Sequence, residues 1–156
     1  MKKFIVPLLI TLMFVSLLSQ VIAIEKIKPD PKAIDLLNKL LAALSIEDPD
    51  ARLQAVIPLV HKSMLTADGK DLDSDTKQFS YKKAYQNVGC YKQPVEISQV
   101  HKGNTYTIGW EETAETGRTD KYFVKKKDGV NGMPAPIHVF WPENGGDPKI
   151  VNMGSL

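Results

Sequence analysis

The sequence predicts an α+β domain in which amphipathic helices come first and neighbouring antiparallel strands follow. Three observations carry that expectation. Apolar residues recur at helical spacing between Asp30 and Val88, and from Pro94 onward the period switches to alternation. The connections between successive alternating runs are also too short for parallel crossovers.

Asp30-Pro31 opens the first helix, since Asp can accept from free backbone N–H groups and Pro fits the first helical position. Ile34, Leu37, Leu40, Leu41 and Leu44 form its apolar stripe. Asp48-Pro49-Asp50 repeats the start signal. The stripe of Leu53, Val56, Ile57, Val60 and Met64 predicts a second helix, bent in its middle by Pro58. Thr66 to Lys77 is polar and acidic, with a turn at Asp68-Gly69. Ser80 is placed to cap a short third helix whose buried face is Tyr81, Ala84, Tyr85 and Val88.

Val95 to His101 reads as a strand, with His101-Lys102-Gly103-Asn104 as its turn. Tyr106, Ile108 and Trp110 then alternate with Thr105, Thr107 and Gly109, a second strand with one apolar face. Lys121 to Lys127 is expected as the next strand, Pro136 to Trp141 as the fourth and Ile150 to Met153 as the last. In the fourth, Ile137, Val139 and Trp141 share one face and His138 falls on the other. Three amphipathic helices are available to cover the sheet.

The first 23 residues have the three parts of a secretory signal. Lys2 and Lys3 are followed by an apolar run from Phe4 to Leu18 and a cleavage-like Val21-Ile22-Ala23. An uncleaved anchor is the alternative, because Phe4 to Ala23 could just span a bilayer. Two segments are therefore expected, a signal peptide at 1–23 and a single α+β domain at 24–156, exported to the periplasm or secreted. Removing the signal takes two lysines from the 20 basic residues and leaves 18 against 18 acidic ones. A formally neutral chain offers no basic stripe for nucleic acid, and no membrane association is expected after cleavage. Cys90 stands alone, so no internal disulfide forms, and a small buried thiol is the ordinary expectation.

The element order, the Asp48-Pro49-Asp50 junction and the aromatic third helix leading into Pro94-Val95-Glu96-Ile97 together resemble the nuclear transport factor 2-like superfamily. That family (SnoaL-like, cystatin-like α+β cones) packs helices on a strongly curved antiparallel sheet. The resemblance runs from Asp30 to Leu156. It implies a pocket at the mouth of the cone, used by members as a ligand site, as an active site with His, Asp or Tyr, or as packed core. The family's hairpin between helices two and three would fall in the acidic Thr66 to Lys77 stretch.

His61, at the edge of the second helix's apolar stripe, is the one catalytic candidate. It can face a pocket as acid or base, or sit at the boundary bonded to a neighbour. Tyr81, Tyr85, Trp110 and Trp141 can line the same interior with it, or fill an ordinary core. Glu111, Glu112 and Glu115 form an acidic run able to supply His61 with a carboxylate. Asp71, Asp73 and Asp75 begin like a calcium loop, but Thr76 and Lys82 stand where its Gly and Glu belong. His61, His101 and His138 lack zinc-ligand spacing, so neither metal nor cofactor is expected.

Three functions follow. The first is a non-catalytic exported domain holding a small apolar ligand in the helix–sheet pocket. The second is a small SnoaL-like enzyme using His61 as acid/base with a Tyr or Glu partner. The third is a protein–protein interaction module, including a homodimer through the sheet, motivated by Phe123, Phe140 and Met153 on its less apolar face.

Overall fold

The computed structural model describes residues 27–156, so the expected signal peptide at 1–23 lies outside the described residues. Asp30 and Asp48 cap as their positions foretold. Asp30 accepts from Lys32 N–H at 2.8 Å at the head of α1 (Pro31–Leu44), and Asp48 from Ala51 N–H at 2.7 Å at the head of α2 (Pro49–Val56). The third helix, α3 (Lys82–Asn87), continues a wider π-helical turn over Thr76–Tyr81. Ser80 does not cap it. The Asp73 carboxylate takes the N–H groups of Asp75 and Thr76 instead, so the helical path starts earlier.

The second helix is shorter than its stripe. It stops at Val56, passes through a 3₁₀ turn at Ile57–Leu59, and extends at Val60 and His61. Pro58 is the reason, because it has no N–H to continue the ladder and its ring crowds the preceding turn. The released segment joins the sheet: Val60 bridges Ile150 in parallel and His61 N–H donates to the Ile150 carbonyl at 2.8 Å.

The sheet is open, antiparallel and five-stranded, comprising β1 (Ile97–His101), β2 (Thr105–Ile108), β3 (Glu115–Val124), β4 (Ala135–Pro142) and β5 (Lys149–Asn152). Its order is β1-β3-β4-β5, and β2 also pairs with β3. Two expectations are corrected. β3 begins at Glu115 rather than Lys121, because its first half is polar and gives no apolar alternation. Residues 101 to 104 also do not reverse the chain. β1 pairs with Lys121 to Val124 and β2 with Glu115 to Arg118, both antiparallel to β3, so the two run on as one interrupted strand. Lys102 to Asn104 stand opposite only Thr119 and Asp120, which is a bulge. Gly103 permits it: its N–H reaches Asp120 Oδ1 at 3.1 Å, and a Cβ there would lie 1.9 Å from the Thr119 carbonyl oxygen.

Arg118, Asp120, Tyr122 and Val124 share a sheet face with Ile137, Val139 and Trp141. Leu37, Leu40, Leu41 and Leu44 of α1 join Tyr122, Val124, Ile137, Val139 and Ile150 in one core. Three helices thus pack on a five-stranded sheet, and no helix among the described residues is long and apolar enough to cross a membrane. The expected apolar face of β2 stays uncovered: Tyr106 is 48% exposed, because β2 pairs only with the first half of β3 at the sheet edge. On the opposite face two of the three interaction residues are hidden. Met153 and Phe140 are fully buried, and Phe123 lies under the His101 ring at 4.9 Å.

Gly103→Ala should lower unfolding stability by roughly 1–3 kcal/mol, because its methyl meets backbone rather than a flexible side chain. A urea midpoint unchanged from the wild type would contradict the bulge.

Candidate functional site

The five expected pocket residues do not surround one space. His61 is 2% exposed and lies in the extended link after α2 instead of on a helix. Its Nδ1 accepts from the Ser63 backbone N–H at 3.1 Å and lies 2.8 Å from Ser63 Oγ. A backbone N–H can only donate, so Nδ1 is unprotonated and Nε2–H donates to Glu115 Oε2 at 3.1 Å. Glu115 also accepts from Asn144 Nδ2 at 3.4 Å. Phe140 packs edge-on to the imidazole at 5.1 Å, in room left by Gly117, where a Cβ would meet the Phe140 ring at 2.5 Å. Burial pushes the His61 pKa down, outweighing the upward pull of Glu115.

Tyr81 and Tyr85 meet edge to face at 5.2 Å, with the Arg52 guanidinium 4.1 Å above the Tyr85 ring. Arg52 also donates to the Tyr81 hydroxyl at 3.1 Å and to the Ile46 carbonyl at 2.9 Å. This cluster ties the α1–α2 connection to α3. Trp110 is 87% exposed, outside the core altogether. It projects from a turn in which Gly109 has φ +79° and Glu111 φ 45°, held by Trp110 N–H to Thr113 Oγ1 at 2.9 Å. Trp141 packs against the core with its indole Nε1 buried and without a hydrogen bond.

The aspartates of the acidic loop have local tasks. Asp71 pairs with Lys77 and accepts from Leu72 N–H, while Asp73 holds the turn into α3. Among the described residues no three carboxylate, His or Cys side chains gather as a metal site. Cys90 is half-buried beside the core.

An open cleft of about 310 Å³ instead lies where the chain enters α1. Ile27, Pro29 and Pro31 form one wall and Val100 with the Tyr122 ring the other. Its floor is polar. Arg118 grips Asp120 through two parallel bonds, Nε to Oδ1 at 2.8 Å and Nη2 to Oδ2 at 2.9 Å, and Asp120 is 1% exposed. Tyr122 is 2% exposed, and its hydroxyl is pushed up to about 12 by burial first and then by the charges of Asp120 and Asp30. Trp141 Nε1 sits close enough to that hydroxyl to favour its ionised form slightly, yet outside hydrogen-bond geometry. Lys28, Lys102 and Asp30 also line the cleft. A second cleft of about 320 Å³ runs between α1 and the β4–β5 loop. Its lysines are already engaged, Lys39 with Asp35, Lys32 with Asp147 and Lys149 with the Pro58 carbonyl.

The reading of the sequence missed Arg118, Asp120 and Tyr122. The signal was their i, i+2, i+4 spacing on one strand face, which apolar alternation does not report because two of the three are charged. Ser63 was missed as well, although it lies two residues from His61. Comparison with family models, curated proteins and solved structures finds no match to this chain.

Acid should loosen the fold. The unfolded His61 imidazole titrates near 6.5 and the folded one lower, so between those values the unfolded chain binds more protons. Stability is therefore full above that unfolded value and falls as pH drops through the folded one. His138 shifts the same way by burial and by the Lys121 charge. Urea unfolding between pH 7.5 and 5 should show the loss, and His61→Gln should reduce it without removing it. An equal pH dependence in the variant would exclude His61 as a source.

Proposed function

We propose that this chain is an exported, non-catalytic domain that binds a small, largely apolar molecule, built on the nuclear transport factor 2-like plan. Export is supported by the sequence of residues 1–23. The architectural reading is supported by helices preceding an antiparallel sheet and by the Leu65–Leu72 bridge. That bridge is a minimal hairpin between α2 and α3, where the family has its own. The site is the cleft between the entry of α1 and the β1–β3 face, which corresponds to the mouth of the cone.

One observation carries the proposal. The cleft has apolar walls of Ile27, Pro29, Pro31 and Val100 over a floor where Asp120 and Tyr122 are almost wholly buried, and one edge of the Arg118 guanidinium has no partner among the described residues. A concave, apolar-walled space with a few convergent polar groups is the usual form of a small-molecule site. The apolar walls supply the burial that gives affinity, and about 310 Å³ suits a small molecule. Ligand-observed NMR screening of the folded domain should yield binders that move the resonances of Val100, Arg118 and Tyr122. Binders that move only other residues, or an absence of binders in a broad collection, would remove this reading.

A second reading is favoured by Glu115, His61 and Ser63. The carboxylate orients the ring, and the unprotonated Nδ1 lies 2.8 Å from Ser63 Oγ, as a general base activating a hydroxyl would. The burial of His61 and the absence of this trio from both clefts weigh toward a structural role. The enzyme reading expects a fluorophosphonate probe to phosphonylate Ser63 with loss of fluoride, and Ser63→Ala to stay unlabelled. An intact mass unchanged after prolonged incubation would retire it.

A further inference from the structure

We infer that the open edge of the sheet at β2 pairs antiparallel with β2 of a second copy of this chain, a contact independent of the cleft. The two edges of the sheet differ. Val60 and His61 cover the β5 edge, whereas β2 has β3 on one side and no strand on the other. The register tells which backbone groups face outward. The Thr116 carbonyl accepts from Glu143 N–H, so Thr116 and Arg118 turn their backbone bonds toward β4, and Glu115 and Gly117 turn theirs toward β2. Thr107 stands opposite Thr116 and Thr105 opposite Arg118. Both threonines therefore direct N–H and C=O away from β3, and among the described residues no hydrogen bond reaches those groups. Open edges are ordinarily blunted by charge, Pro or a bulge. The bulge at 102–104 does this next to β1, but Thr105-Tyr106-Thr107-Ile108 carries none of these devices.

A second copy fits this edge by geometry and by charge. Identical antiparallel neighbours in one sheet are related by a two-fold axis normal to it, which keeps every side chain on its own face. With that axis at Tyr106, Thr105 meets the partner's Thr107 and all the outward N–H and C=O groups are used. An axis at Thr107 calls on Gly109, whose φ of +79° leaves extended backbone. An axis at Thr105 calls on Gly103, whose N–H is held by Asp120. Charge selects the same partner. His101 and Lys102 precede β2, and Glu111 and Glu112 follow it. Antiparallel self-pairing lays the basic end of each copy on the acidic end of the other. Lys102, Glu111 and Glu112 are exposed, and none forms an ion pair among the described residues. The apolar groups left uncovered on β2 and its turn are then used as well. Tyr106, half-exposed, lies beside its own copy at the axis, and Trp110 comes opposite the partner's Lys102, as a cation–π contact requires.

The experiment is sedimentation equilibrium on residues 24–156, the chain left by the expected cleavage. A strand of four residues gives a small interface, so the dimer should have a Kd of about 100 μM and show between about 10 μM and 1 mM. Thr107→Pro removes an outward N–H at an edge, where Pro is tolerated, and should raise Kd roughly tenfold or more. Lys102→Glu should weaken pairing, and so should Glu111→Lys with Glu112→Lys. Combining all of these charge changes should return Kd to within about threefold of the wild type, a recovery that misfolding does not give. A chain that stays monomeric at about 1 mM overturns the inference and leaves the edge to a foreign strand. A dimer that Thr107→Pro and the charge changes leave intact also overturns it, because the contact then lies elsewhere. So does a combined variant that pairs no better than its parents.

Discussion

The buried carboxylate of Asp120 is the constraint from which much of this architecture follows. A charge taken out of water is tolerable only when it is paired and fully hydrogen-bonded. Asp120 meets that demand with both arms of Arg118 and with the Gly103 N–H. The first partner lies on its own strand. The second lies in the neighbouring strand, and reaching it requires an extra residue opposite Asp120, which is why β1 and β2 are divided by a bulge. Stripping a buried carboxylate of its partner costs about 3–5 kcal/mol where the pair is fully enclosed, and less here because Arg118 is partly solvated. Burial first, and then the charge of the same carboxylate, push the Tyr122 pKa up to about 12.

At the other side of the sheet the governing element is Pro58. By ending α2 early it frees Val60 and His61 to lie along β5, covering an edge that would otherwise present unpaired backbone groups. His61 then reaches Glu115 at the start of β3, and Lys62 donates to the Glu112 carbonyl at 3.0 Å. The link after α2, the turn before β3 and, through Asn144, the β4–β5 loop are drawn together at one end.

Two polar clusters thus occupy opposite faces of β3. Glu115 and Gly117 point toward His61 and Phe140, whereas Arg118, Asp120 and Tyr122 point toward α1. The first cluster is closed, with each imidazole nitrogen answered and the ring sealed by Phe140. The second is open to the cleft, and one edge of the Arg118 guanidinium has no partner among the described residues. Chemical promise on paper belonged to the histidine, but available space lies on the tyrosine's side of the strand.

Local signals were legible in the order of residues: the Asp-Pro helix starts, the stripe of α1, the alternation in β4 and the α+β class. Each depends on contacts within a few residues, which periodicity reports directly. The reach of α2 past Pro58, the reversal expected at His101 to Asn104 and the start of β3 were misread. Pro58 decided the first by ending the helix, the distant partner Asp120 decided the second by taking the Gly103 N–H, and the polar first half of β3 hid the third. Trp110 and Tyr106 alternate as a buried face should, yet they sit beyond the helices' cover. Whether an apolar side is buried depends on what packs over it. The α+β plan and its helix caps could be read from neighbouring residues alone. The cleft and its donors required strands and helix to meet, because a site made of Pro31, Val100 and Tyr122 exists only where folding brings them together.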